Sequence, residues 1–150
     1  MNHGKFFKLL VITALGFGSL PGSSQAQTAK DLVGTWRLVS TDNTDATGAK
    51  IEPFGPHPLG SFTFDANGHF TQVIVPAEKG PTELVAAFGD YSVTNGGKTL
   101  VRHMLGIQDA SAIGKDLPIE ITLSNDELKT SNVTTTTSAR HAISVWHRVK

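Results

Sequence analysis

The chain has no cysteine, a single tyrosine and two tryptophans, and only 17% of its residues are charged. Without thiols there is no disulfide and no thiolate-ligated metal site, so burial and backbone hydrogen bonding must hold the fold. Thirteen basic residues balance thirteen acidic ones, and Lys and Arg form no cluster. That argues against the basic surface that a nucleic acid or an anionic membrane would need. Also missing are a Gly-x-Ser-x-Gly elbow, a phosphate-cradling glycine loop and a His pair at helical spacing. Several enzyme classes drop out with them. No catalytic residue is assigned from the sequence, and no cofactor is expected.

What is present begins with a segment that reads as an export signal. Met1 to Lys8 carries Lys5 and Lys8 without an acid, Leu9 to Leu20 is a mostly apolar run, and Ser24-Gln25-Ala26 offers the small residues a signal peptidase reads. The apolar run is shorter than the roughly 20 residues of a bilayer span, and Gly16, Gly18 and Pro21 interrupt it. The expectation is therefore a signal peptide over 1–26, cleaved after Ala26, no stable membrane insertion, and a secreted or periplasmic single domain over 27–150. Losing Lys5 and Lys8 leaves a small acidic excess. Asn132-Val133-Thr134 matches the glycosylation pattern, but nothing else in the chain points to a eukaryotic secretory pathway, so it reads as chance.

Beyond the signal the pattern is strands and turns. Val33 to Thr41 alternates Trp36, Leu38 and Ser40 against Arg37 and Val39, and Asp42 to Lys50 reads as a polar loop. Pro53, Pro56 and Pro58, with Gly55 and Gly60, allow neither a helix nor a central strand. Three hairpins follow: Ser61 to Val75 about Asp65-Ala66-Asn67-Gly68, Phe88 to Leu105 about Asn95-Gly96-Gly97, and Leu117 to Val133 about Asn125-Asp126. Pro81 to Ala87 reads as one or two helical turns, Asp109 to Ile113 as a helical turn in a connecting loop, and Ala139 to Lys150 as the last strand. Thr134 to Thr137 fits either the end of a strand or a loop. About eight strands joined by short turns predict an all-β fold, an antiparallel up-and-down β-barrel. An open sandwich has the same periodicity and stays open at this point.

The segments GTWRLVS at 34–40, PFGPHPLG at 53–60 with the hairpin to Val75, AAFGDYSV at 86–93, LVRHM at 100–104 and SVWHRV at 144–149 resemble the lipocalin-like domain family. The resemblance implies a small β-barrel whose first-strand tryptophan closes the floor against a last-strand arginine. Trp36 and Arg148, with Gly34, stand at the matching positions. The chain departs from the commoner pattern after Gly106, where Lys115-Asp116-Leu117-Pro118 replaces a longer Pro/Trp-containing segment.

A barrel of this size is either filled by side chains or holds one small ligand. Phe62, Phe64, Phe70, Tyr91, Leu100, His103, Ile121 and Val145 are the candidate lining residues, with Phe54 and Phe88 as further aromatics. The expected partner is a small hydrophobic or amphipathic molecule held without covalent chemistry, in a cavity opening at the Pro53 to Gly60 end. Two other readings compete. In one, a cofactor-free isomerase or cyclase uses His103 or Tyr91 for proton transfer. In the other, the barrel is filled and serves as an interaction module. Arg102 and His103 are adjacent in one strand, so one of them points inward. A three-histidine metal site from His103, His141 and His147 has no recognised ligand spacing, and none is expected. His57 and His69 are expected to face water.

Overall fold

Period-two alternation gives each strand one apolar and one polar face, and a sheet that curls until its apolar face is enclosed also loses its exposed edges. The computed structural model, which describes residues 27–79, 83–132 and 140–150, has that arrangement. A short helix α1 (Ala29–Leu32) precedes β1 (Gly34–Thr44), β2 (Lys50–Ile51), β3 (Leu59–Phe64), β4 (His69–Val75), β5 (Val85–Thr94), β6 (Thr99–Ile107), β7 (Asp116–Ser124), β8 (Glu127–Asn132) and β9 (His141–Arg148). Each strand from β3 to β9 pairs antiparallel with the next, β1 pairs antiparallel with both β3 and β9, and the β1–β9 ladder closes an eight-stranded barrel. The two residues of β2 are an appendage on the end of β1. The up-and-down barrel expected from the sequence is the fold observed, and the closed ladder excludes the sandwich.

The hairpin turns follow their residue chemistry. Asp65 accepts hydrogen bonds at Oδ1 from the backbone N–H of Asn67 (2.8 Å) and His69 (2.9 Å), which ties the β3–β4 turn together. Asn95, Gly96 and Gly97 all take positive φ in a 3-10 turn between β5 and β6, and Asn125 does so between β7 and β8. A second 3-10 turn, Ala110–Ala112, lies in the β6–β7 connection where a helical turn was expected.

Two expectations about elements need correction. β1 does not end at Thr41: Asp42 to Thr44 continue it, paired with Ile143, Ala142 and His141. An irregularity between Leu38 and Ser40 shifts the alternation there, so Asn43 is buried and Ser40 is exposed. The helical reading of Pro81 to Ala87 fails from Val85 onward. Pro81 and Thr82 lie outside the described residues, but Val85, Ala86 and Ala87 are strand, laddered to Ile74, Val73 and Gln72. A short run of helix formers cannot compete with a complete set of sheet hydrogen bonds. The signal-like segment and Thr134 to Thr137 also lie outside the described residues.

The core is concentrated at the α1 end of the barrel. Phe62 packs against Phe64 (ring centroids 4.3 Å), Trp146 (5.5 Å) and Phe70 (6.0 Å), and Phe64 packs edge-on to Tyr91 (4.9 Å). Leu32, Trp36, Leu100 and Leu128 complete a fully buried floor. Arg148 seals it from outside: its guanidinium carbon lies 4.1 Å from the centroid of the Trp36 ring, Nη1 donates to Val33 O (2.6 Å) and Nη2 to Asp31 O (2.7 Å). Trp36 Nε1 donates to Leu32 O at 2.8 Å. Gly34 makes room for this. Its φ is +130°, and a Cβ there would stand 3.0 Å from Arg148 Nη1.

Candidate functional site

The aromatic floor fills only part of the barrel, and a cavity of about 700 Å³ occupies the part away from α1. Strand direction explains why. Leaving the floor, inward positions change from large rings to smaller or polar residues: Phe70 gives way to Gln72 and Ile74 on β4, Tyr91 to Ala87 and Val85 on β5, Trp146 to Ser144 and Ala142 on β9. Phe54, from the Pro/Gly segment, is buried and lines the cavity.

The cavity has two unlike walls. On β4 to β7 it is lined by Ile74, Val85, Ala87, Met104, Ile107, Leu117 and Ile119; on β8, β9 and β1 it is lined by Thr130, Asn132, Ser144, Thr41 and Asn43. The polar wall is partly satisfied within itself. Ser144 Oγ donates to Thr41 Oγ1 (3.0 Å), Asn43 Nδ2 donates to the same oxygen (3.3 Å), and Trp146 Nε1 donates to Thr130 Oγ1 (3.2 Å). Asn132 Oδ1 is buried and accepts no hydrogen bond.

Within the apolar wall stands one buried charged group; the exposed Glu120 on β7 also borders the cavity. Arg102 is 7% exposed and donates from Nη1 to Gln72 Oε1 at 2.7 Å. Its Nε is buried with no acceptor, and among the described residues no carboxylate forms an ion pair with it. Burial pulls its pKa down to about 10, which still leaves it fully protonated at neutral pH. Asp109 and Lys115 also border the cavity; hydrogen bonds from Ser111, helped by the Lys115 charge, hold the Asp109 carboxyl below its usual range.

The expected lining residues divide into groups. Phe62, Phe64, Phe70, Leu100 and Ile121 point inward and are buried, but they build the packed floor and none of them lines the cavity. Tyr91 is also in the floor, where its hydroxyl donates to Asp65 O (2.9 Å) and reaches Ala29 O (3.3 Å). Burial, with the Asp65 carboxylate adding to it, raises its pKa. Val145 faces outward, because the β9 residues that face inward are Ser144 and Trp146. Phe88 is also exposed, lying against Gly106 outside the wall.

His103 faces outward too, with Nδ1 2.8 Å from Asp116 Oδ1. Neither residue proposed for proton transfer therefore reaches the cavity. His141 contacts Ser131 and His147 contacts Glu127, and among the described residues no three His, Asp or Glu side chains converge on a metal position. His57 and His69 are exposed.

The residues that the sequence reading did not select are Arg102 and Gln72. A signal for Arg102 was there: it shares parity with Leu100 and Met104, so the apolar phase of β6 already places it inside. A second depression, against α1, is lined by Gln27, Lys30, Asp31, Asn125 and Arg148. It lies outside the wall, and its guanidinium is already occupied by the carbonyls of Val33 and Asp31.

Among the described residues no helix is long and apolar enough to cross a membrane. Of solved structures, the fatty-acid-binding protein 1 of Echinococcus granulosus is 14% identical, with 79% of this chain and 97% of that one covered and a TM-score of 0.42. A structure titled REP1-NXSQ fatty acid transporter is 10% identical, with 81% and 98% covered and a TM-score of 0.41. No curated protein matches the chain. The model of the lipocalin-like domain matches residues 33–149, nearly the whole described barrel, and the chain belongs to that family.

Proposed function

We propose that this protein binds one small amphipathic molecule, non-covalently, in the cavity beyond the aromatic floor. The observation that carries this reading is a 700 Å³ space with one apolar and one polar wall inside a closed barrel. The volume falls within the roughly 300–1,000 Å³ of small-molecule sites, and an apolar lining with a few placed polar groups is what such sites use to hold and orient a ligand. A protein whose barrel served only as an inert scaffold would gain stability from filling that space.

Nile red, an uncharged hydrophobic dye, is the probe for this reading. It should bind the folded protein with increased fluorescence and be displaced by dodecanoate or small terpenoids. Ala87→Trp, which places an indole in the cavity from β5, should abolish binding while the far-ultraviolet spectrum remains that of a β-protein. Equal dye binding by the wild type and by this filled variant would overturn the reading.

Export belongs to the same proposal. The Lys5 and Lys8 start, the apolar run and Ser24-Gln25-Ala26 support release of a domain beginning at Gln27 into a secreted or periplasmic space. N-terminal sequencing from the native host should return Gln27 as the first residue. An intact Met1 in the soluble cytoplasmic fraction would refute it.

A further inference from the structure

Arg102 is a buried cation lining the cavity, and a purely apolar ligand leaves it unexplained. A guanidinium carries five N–H donors and no acceptor. Here one donor is given to Gln72, Nε has none to give to, and no carboxylate answers the charge among the described residues. Placing a cation in an apolar wall costs several kcal/mol unless an anion or a full set of acceptors offsets it. Gln72 is itself neutral and supplies a single carbonyl. The ligand-free barrel is therefore short of a negative charge at this point.

The order of residues along the strands sets which way a ligand lies. β4 and β6 both run from the floor toward the far end. On β6 Arg102 lies between Leu100, in the floor, and Met104, which lines the cavity; on β4 Gln72 lies between Phe70 and Ile74 in the same way. Along β4 and β6 the cation thus stands on the floor side of the apolar residues Ile74, Ala87, Met104 and Ile107, which continue from it toward the outer end, while on β7 the lining runs past it to Ile119 and Glu120.

Resting on the ligand-binding reading above, we infer that the ligand is a monocarboxylate amphipath bound head-inward, its carboxylate on the Arg102 guanidinium and its apolar part along β4 to β6. A carboxylate suits the site because its two oxygens match the planar fork of arginine and bring the single charge that is missing. Gln72 holds the guanidinium in orientation, as a positioning residue.

The test compares ligands of one chain length and different heads, each competing with Nile red: dodecanoate, dodecanol and dodecylammonium. Dodecanoate should bind about tenfold or more tightly than dodecanol, as a charge-assisted hydrogen bond in a buried site predicts, and dodecylammonium should compete worst. In Arg102→Met the ratio of acid to alcohol affinity should fall to about one. If that variant does not fold, the wild-type series still decides. Equal affinity for acid and alcohol in the wild type, or an acid preference that survives in Arg102→Met, would overturn the inference while leaving the ligand-binding reading intact. If none of the three compounds nor the dye binds, it is the ligand-binding reading that fails.

Discussion

Arg148 joins three parts of the protein through one side chain: the Trp36 ring, the carbonyls of Asp31 and Val33 at the end of α1, and Asp126 in the β7–β8 turn, 3.4 Å from its Nε. Arg148→Ala should destabilise the fold by about 1–3 kcal/mol, combining lost cation–π contact with two carbonyls left without donors. Urea denaturation measures this, and Arg148→Lys should recover only part of it because an ammonium cannot reach both carbonyls as a fork does. His69 gives a second prediction at this scale. Its Nδ1 lies 3.0 Å from Asp65 Oδ2, and that bond, then the Asp65 charge, raises the imidazole pKa above its ordinary 6.5. A raised folded pKa means that the pair contributes fully below pH 6.5 and is lost as pH rises through the higher folded value. Proton NMR titration should find the His69 midpoint above 6.5, and in Asp65→Asn it should move down toward 6.5. Of these pairings only that of Trp36 with Arg148 was expected from the sequence, through the family motif; the others depend on the folded turn and on the packing of α1.

At the scale of elements, the irregularities are what change the inner face. On β5 the register shifts between Phe88 and Gly89, where the backbone approaches β6 so closely that a Cβ on Gly89 would collide with the His103 carbonyl oxygen and stand 2.9 Å from Leu105 N. Gly89→Ala should therefore cost about 2 kcal/mol or more, since backbone rather than a yielding side chain must move. A lowered thermal midpoint with an unchanged β spectrum is the expected result; an unchanged midpoint would show that the strands separate there without cost. The irregularity on β1 does something comparable by bringing Asn43 into the polar wall. The hairpin turns and most strand spans could be read from Asn, Asp and Gly positions and from alternation, apart from the end of β1 and the start of β5. The irregularities could not, because an extra residue leaves no mark in a period-two pattern until the pairing partner is known.

For the molecule as a whole, the packed floor and the hollow beyond it divide stability from function. The floor holds most of the rings, while the cavity wall holds a buried cation, Arg102, with which no carboxylate pairs among the described residues. Replacing that cation and its partner together, as Arg102→Met with Gln72→Leu, should raise the ligand-free stability by about 1–3 kcal/mol, because two buried polar groups give way to apolar ones of similar size. Thermal melts in the absence of ligand should show a higher midpoint than the wild type. A lower one would mean that Arg102 is compensated in the empty barrel and would weaken the case for an anionic ligand.

The sequence by itself determined the fold class, the hairpins and the set of large apolar residues, because alternation and turn chemistry are local and each strand carries its own copy of them. Through the motif shared with its family, it also pointed to Trp36 and Arg148. Which apolar residues fill the barrel and which border a space was decided only by the tertiary structure. Phe62, Phe64 and Phe70 have the same parity as cavity residues and differ from them only in height along the barrel axis, a quantity set by strand tilt and register across all eight strands. The meeting of Arg102 with Gln72, thirty residues apart on strands separated by β5, also depends on pairing: their side chains meet across β5 on the inner face of the curved sheet.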